Sequence, residues 1–178
     1  METHSRIGPA EIEAALQRVA AHLVEIEPSP DQLIVAGIAN GGVPFGVMLT
    51  RVLSAKYGVE IPFGQLNITF QRDDLGHNPL PGEKERTYLP VPVKDKTVIL
   101  ADDVMFSGRS VRAALAELFD LGRPECVRLA ILFDRGGRRL PVQPDVSGIF
   151  QPVDPSERVQ VELHPDNPDA NAITISPK

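Results

Sequence analysis

The chain has 178 residues, 42% hydrophobic and 24% charged, values of an ordinary globular domain and too apolar for a disordered chain. Eighteen basic residues against 24 acidic ones leave a formal charge of −6, which excludes a uniformly basic nucleic-acid binder but not a local basic patch. No run of about 18 apolar residues occurs, no apolar leader core opens the chain, and the single cysteine, Cys126, has no internal disulfide partner, so a cytoplasmic location is expected.

From the N-terminus, Pro9 suits a first helical position, and Ile12, Ala15, Leu16, Val19, Leu23 and Ile26 form one apolar stripe at helical spacing over residues 9–27. Pro28 and Pro30 stop that helix. Gln32–Ile38 is a continuous apolar run, as in a strand covered on both faces. Asn40-Gly41-Gly42 breaks it, and Pro44 can open a second helix that reaches Tyr57. Leu66, Ile68 and Phe70 alternate with Asn67 and Thr69, which predicts a strand with one polar face. No period survives over 71–92, and a long irregular stretch inside a compact domain is often functional. Thr97–Ala101 reads as a buried strand and Arg109–Leu121 as a helix, with Gly122 and Pro124 to end it. Cys126–Phe133 is a further apolar strand, and Val159, Val161 and Leu163 alternate in a late one. Strands and helices in this order predict βαβ units, hence an α/β fold with a mostly parallel central sheet flanked by helices. One domain over 1–178 is expected, with a flexible arm over about 71–90 and a small hood over about 134–178.

The chemistry concentrates in Val98–Ser110, where a buried strand meets two adjacent carboxylates, Asp102 and Asp103, and then Ser107-Gly108-Arg109-Ser110 leads into a helix. In an open α/β sheet, ligands lie outside the carboxyl ends of the strands. A helix start offers unpaired N–H groups and the positive end of the dipole, both suited to phosphate. Gly108 lets the backbone approach closely, and Ser107 and Ser110 add hydroxyl donors. Carboxylates just upstream suit vicinal hydroxyls, so phosphate at one end and a diol at the other describe a ribose 5-phosphate. The chain contains neither Gly-Lys-Ser/Thr nor G-x-G-x-x-G, which removes the commoner triphosphate and dinucleotide readings.

At these residues the chain resembles the type I phosphoribosyltransferases. Within them it is most similar to the bifunctional pyrimidine operon attenuation regulator and uracil phosphoribosyltransferase (PyrR) family. The resemblance rests on Gly37-Ile-Ala-Asn-Gly-Gly-Val-Pro44, Ile68–Leu75 with its Arg72-Asp-Asp-Leu, the Asp102–Ser110 loop, Leu121-Gly-Arg-Pro124 and Asp134–Pro141. It implies transfer of ribose 5-phosphate from phosphoribosyl pyrophosphate to uracil, giving UMP and pyrophosphate, with Mg²⁺ as cofactor. It further implies that Asp102 and Asp103 hold the ribose hydroxyls near Mg²⁺ and that the backbone of Phe106, Ser107, Gly108, Arg109 and Ser110 cradles the 5′-phosphate. Ala39, Asn40 and Gly41 would face the pyrophosphate, and Arg72 would cover it from the arm. Asp134 and Arg135, with Val104 and Met105, would frame the base. A homodimer or a dimer of dimers is implied as well. Taken without the resemblance, Asn40-Gly41-Gly42 can also be read as a tight strand-to-helix turn only, and Arg135, Arg138 and Arg139 as ordinary surface charge or an interface patch.

The family's second activity, UMP-responsive binding of pyrimidine-leader RNA, would use Arg18, Arg138 and Arg139. Here the chain departs from the family phrases. Thr-Arg-Gly becomes Asn40-Gly41-Gly42, a strand phrase beginning with Asp becomes Asn67-Ile-Thr, Asp-Arg-Gly-His becomes Asp134-Arg-Gly-Gly137, and Gly-Lys-Asn becomes Gly148-Ile-Phe150. Gln17 and Ala21 stand where Thr and His are usual on the first helix. RNA binding depends on Lys and Arg contacts to phosphate and on donors to exposed bases, so these losses predict weak or absent RNA binding.

Overall fold

Six consecutive residues of Leu33–Ile38 (β2) are buried, which requires packing on both faces of the strand, and the computed structural model, describing residues 5–71 and 86–178, supplies both layers. The central sheet has five strands, all parallel, in the order β3 (Phe63–Leu66), β2, β4 (Thr97–Met105), β5 (Cys126–Asp134) and β6 (Val146–Phe150). Helices α1 (Pro9–Ile26) and α2 (Gly42–Tyr57) cover one face, burying Ile12, Leu16, Leu23, Leu49 and Leu53 against Val35, Ile99 and Leu132. Helix α3 (Arg109–Leu121) covers the other, with Val111, Ala114 and Leu118 on Ala36, Val98, Leu100 and Ile131. Each large side chain so buried contributes about 1.5–3 kcal/mol.

A second, three-stranded antiparallel sheet forms the hood, in the order β1 (Ser5–Ile7), β8 (Ala172–Pro177), β7 (Glu157–Glu162). The N-terminal strand thus belongs to the hood, whereas residues 146–150 join the central sheet, so the expected 134–178 boundary does not describe the hood's strands. Ile173 and Ile175 of β8 seat the hood on the α1–α2 core.

Four sequence expectations need correction. The predicted strand through Leu66, Ile68 and Phe70 ends at Leu66, and Thr69–Gln71 form a 3₁₀ turn. Asn67 is the cause: its Oδ1 accepts the Thr69 N–H locally at 2.8 Å, while its own N–H donates to the distant Thr87 Oγ1 at 2.9 Å, and these side-chain bonds replace the ladder. Helix α2 starts at Gly42, two residues before Pro44, which sits in the first turn where a missing N–H costs nothing. The late strand is Glu157–Glu162, with Leu163 beyond its end. Finally, β4 runs four residues past Ala101 to Met105, so the acid pair lies in the strand itself.

The chain leaves β2 toward β3 and leaves β4 in the opposite direction, toward β5. The carboxyl ends of β2 and β4 therefore flank the switch point where an open sheet forms its crevice.

Candidate functional site

The crevice is built from two turns and one strand end. Asp102 Oδ1 accepts the Asp103 N–H at 3.1 Å, and Asp103 Oδ1 accepts the Val104 N–H at 2.8 Å, so each carboxylate is oriented by the next peptide of its own strand. Asp102 is buried and Asp103 half-buried. Burial, and then the Asp103 charge beside it, hold the Asp102 carboxyl well above the usual carboxylate range; burial raises Asp103 as well. A pair of this kind favours a ligand that brings positive charge or hydroxyl donors.

The β2–α2 turn presses directly on this pair. A Cβ on Gly41 would collide with the Asp103 carboxylate, and one on Gly42 with the Ala101 carbonyl oxygen. The two glycines are therefore a packing requirement, and the space a side chain at 41 would take is filled by Asp103. The Ala39–Asn40 peptide in this turn is cis. Ala39 donates its N–H to the Leu66 carbonyl at 2.9 Å, tying the turn to β3. A cleft of about 350 Å³ opens between Gly41, Pro44 and Asp103 on one side and Val161–His164 of the hood on the other. Glu162 and His164 face this cleft, a role with no signal in the sequence because nothing local links the end of β7 to the acid pair. A larger groove of about 810 Å³ lies along β3 and the C-terminal half of α2, lined by Thr50, Arg51, Glu60, Ile61, Phe63 and Pro90. It touches neither the acid pair nor the loop before α3 and carries none of their chemistry.

That loop, Phe106–Ser110, turns on Gly108 at φ +90°, a conformation that favours glycine. The Arg112 N–H donates to the Gly108 carbonyl at 3.0 Å to begin α3, and the Arg109 N–H donates to Ser107 Oγ at 3.3 Å. The β5–β6 turn lies against the loop. The Arg135 N–H donates to the Met105 carbonyl at 3.1 Å, and the Arg139 and Leu140 N–H groups donate to the Ser107 carbonyl at 3.0 and 3.1 Å. Met105 is buried and Val104 half-buried beneath.

The side chains expected to frame a base serve internal contacts. Asp134 pairs with Arg138 Nη2 at 2.5 Å and accepts the Gly136 N–H at 3.0 Å. Arg135 is 7% exposed; its Nη2 donates to the Asp154 and Glu157 carbonyls at 3.0 and 3.1 Å, and its Nε is buried without a hydrogen-bond partner among the described residues. The Arg135 guanidinium lies 4.7 Å from the centre of the Phe106 ring, a cation–π contact. That ring also covers Gly137, where a Cβ would come within 2.5 Å of it. Asp134 and Arg135 are therefore held by internal contacts, and Phe106, 39% exposed, presents an aromatic surface beside them.

Of the three arginines considered for RNA, Arg138 is locked to Asp134, Val142 and Phe106, and Arg18 donates to the Gly148 carbonyl at 2.9 Å, tying α1 to β6. Arg139 is exposed. Arg72 and the rest of the arm from 72 to 85 lie outside the described residues.

A family model described as "Phosphoribosyl transferase domain" matches residues 8–166. The chain is 44% identical over 154 residues to a "Bifunctional protein PyrR" of Chloroflexus aurantiacus, covering 86% of this chain and 84% of that one. It is 42% identical over 153 residues to the protein of the same name from Deinococcus radiodurans, with 86% and 84% covered. Among solved structures, a hypoxanthine phosphoribosyltransferase of Trypanosoma cruzi superposes with a TM-score of 0.64 at 16% identity, covering 96% of this chain and 95% of that one. A purine phosphoribosyltransferase from Pyrococcus horikoshii gives 0.53 at 22%, covering 80% and 83%. At these identities the structural likeness speaks to the fold, which is that of the type I phosphoribosyltransferases.

Proposed function

The chain belongs to the phosphoribosyl transferase domain family and, within it, to the bifunctional PyrR proteins, and from that membership we propose that it transfers ribose 5-phosphate from phosphoribosyl pyrophosphate to uracil. The observation that carries the reading is the meeting of an oriented carboxylate pair, a glycine turn and a phosphate-type loop at one sheet switch point.

In the reaction the bond from ribose C1′ to the pyrophosphate oxygen breaks and its electron pair leaves with pyrophosphate. A bond from uracil N1 forms at C1′, and N1 loses its proton. Positive charge develops on the ribose ring between these events, so positioning and charge complementarity supply most of the acceleration. Asp102 and Asp103 accept the ribose hydroxyls and lie where that charge grows. The N–H groups of Phe106–Ser110 hold the 5′-phosphate, the backbone of Ala39, Asn40 and Gly41 faces the leaving pyrophosphate, and Arg72 covers it from the arm. The walls near Val104, Met105, Asp134 and Arg135 bound the base.

The donor set fits Mg²⁺ shared with substrate. Asp102 and Asp103 offer hard oxygens, no third His, Cys, Asp or Glu joins them among the described residues, and Mg²⁺ favours one or two carboxylates plus phosphate oxygens. When bound there, Mg²⁺ supplies neutralisation of the pyrophosphate charge.

The test is a panel of bases, each incubated with the protein, phosphoribosyl pyrophosphate and Mg²⁺ while pyrophosphate is measured. Uracil is expected to give turnover; turnover of hypoxanthine or guanine with none of uracil would overturn the choice of substrate. The word "bifunctional" in the relatives' name favours a second reading, an RNA-binding regulator responsive to UMP. The internal bonds of Arg18 and Arg138 weigh against strong RNA binding by this chain.

A further inference from the structure

Two successive peptides of the phosphate loop are held from one side by the β5–β6 turn. In a trans peptide the carbonyl and the N–H that follows it point in opposite directions. The Phe106 carbonyl accepts from Arg138 Nη1 at 3.1 Å, so the Ser107 N–H is turned away from that turn. The Ser107 carbonyl accepts from the Arg139 and Leu140 N–H groups, so the Gly108 N–H is turned away as well. Leu140 and Val142 also back Gly108, where an added Cβ would lie 3.4 and 3.6 Å from their own Cβ atoms. One side of the loop is thus occupied by carbonyls and their donors, and the opposite side is left to two N–H groups.

The two peptides are held differently. Backbone donors hold the second, whatever side chains stand at 139 and 140. The first depends on a side chain, Arg138, whose Nε donates to the Val142 carbonyl at 3.1 Å and whose Nη2 pairs with Asp134 Oδ2 at 2.5 Å while Nη1 takes the Phe106 carbonyl. Three acceptors in three directions require a planar fork, which lysine lacks. The side chain is only 16% exposed, and each of its three guanidinium nitrogens has an acceptor within the chain.

We propose that Arg138 is a positioning residue for phosphate binding, orienting the Phe106–Ser107 peptide so that the Ser107 N–H faces the 5′-phosphate. The role rests on the phosphoribosyltransferase reading of the loop.

The experiment is calorimetric titration of ribose 5-phosphate, with ribose as the phosphate-free control, into the full chain and into Arg138→Ala and Arg138→Lys, alongside steady-state kinetics. Arg138→Ala is expected to weaken ribose 5-phosphate binding by about ten- to a hundredfold, the range for losing a hydrogen bond to a charged group. Arg138→Lys should fall between, since a single ammonium can reach one of the three acceptors. The KM for phosphoribosyl pyrophosphate should rise in parallel while that for uracil stays within about twofold, a split that general loosening of the fold would not produce. Should Arg138→Ala fail to fold, Asp134→Asn releases the anchor of the fork at little change in volume and is expected to weaken ribose 5-phosphate in the same sense. Unchanged ribose 5-phosphate affinity in a folded Arg138→Ala, or in Asp134→Asn where that variant carries the test, would overturn the role. A wild-type chain that does not bind ribose 5-phosphate would overturn the phosphate site and this role together. A chain that binds it, loses it with Arg138→Ala and turns over no base would overturn only the enzymatic reading.

Discussion

Asp102 is buried, beside another carboxylate, within a strand whose preceding residues 98–101 are apolar and fully buried. Its ordinary value, 3.8, is raised in the folded chain, so over the interval above that value the folded state holds more protons than the unfolded state. Stability contributed by this group therefore falls as pH rises through the interval and is recovered as pH falls. Replacing Asp102 by Asn removes the burial of a charge while keeping the shape. The variant should melt higher than wild type at neutral pH, by about 2–4 °C for each kcal/mol relieved, and the difference should shrink toward acid pH. Calorimetric melting of both proteins across that range checks this; equal pH dependence would show that the pair's burial is not reflected in stability. At Gly41, an added Cβ meets the Asp103 carboxylate, so Gly41→Ala should displace either the turn or the acid. It is expected to lower kcat/KM by about tenfold or more, as misplacement of reacting groups does, with the melting temperature as the control.

At the scale of elements, how much the sequence discloses depends on whether an element's cause is local. Helix α3 was legible to its end residues, because Ser107-Gly108 precedes it and Gly122 with Pro124 follows it. Strand β2 was legible from its unbroken apolar run, and the acid pair and phosphate loop stood out because strand, carboxylates, glycine and helix follow one another within a dozen residues. Strand β1 has three residues and exists because β8 pairs with it, from the far end of the chain. The contacts of Arg135 and Arg138 are not legible for the same reason, since their partners at Phe106, Val142, Asp154 and Glu157 are set by tertiary structure. Asn67 defeated an apolar alternation by bonding locally. Packing between elements makes its own prediction. Leu23 of α1 is fully buried in the core shared with β5 and the hood, so Leu23→Ala should cost about 2–5 kcal/mol in urea unfolding with an unchanged m-value.

For the whole molecule, a formal charge of −6 combines with arginines, Arg18 and Arg138, that bond within the chain. Binding to RNA draws on released counterions, with a slope of log K against log salt of about −0.7 per phosphate contacted on single strands. With a net charge of −6 and with Arg18 and Arg138 bonded within the chain, weak binding and a shallow slope are expected. A gel-shift titration with a pyrimidine-leader hairpin, with and without UMP, should show no nanomolar complex at about 0.1–0.2 M salt; tight, sequence-specific binding would show that other residues rebuild the surface. The fold, by contrast, brings the carboxyl ends of β2 and β4 together with the hood over one cleft, and the proposed phosphoribosyl transfer is assigned to that cleft. That claim is tested most directly by kcat/KM for phosphoribosyl pyrophosphate, with uracil and Mg²⁺, in wild type and in the double variant Asp102→Asn with Asp103→Asn. Wild type is expected to turn over and the folded double variant to lose about 10²–10³-fold or more, the usual loss when charge stabilisation is removed from a transition state. A double variant that keeps the wild-type kcat/KM would contradict the account.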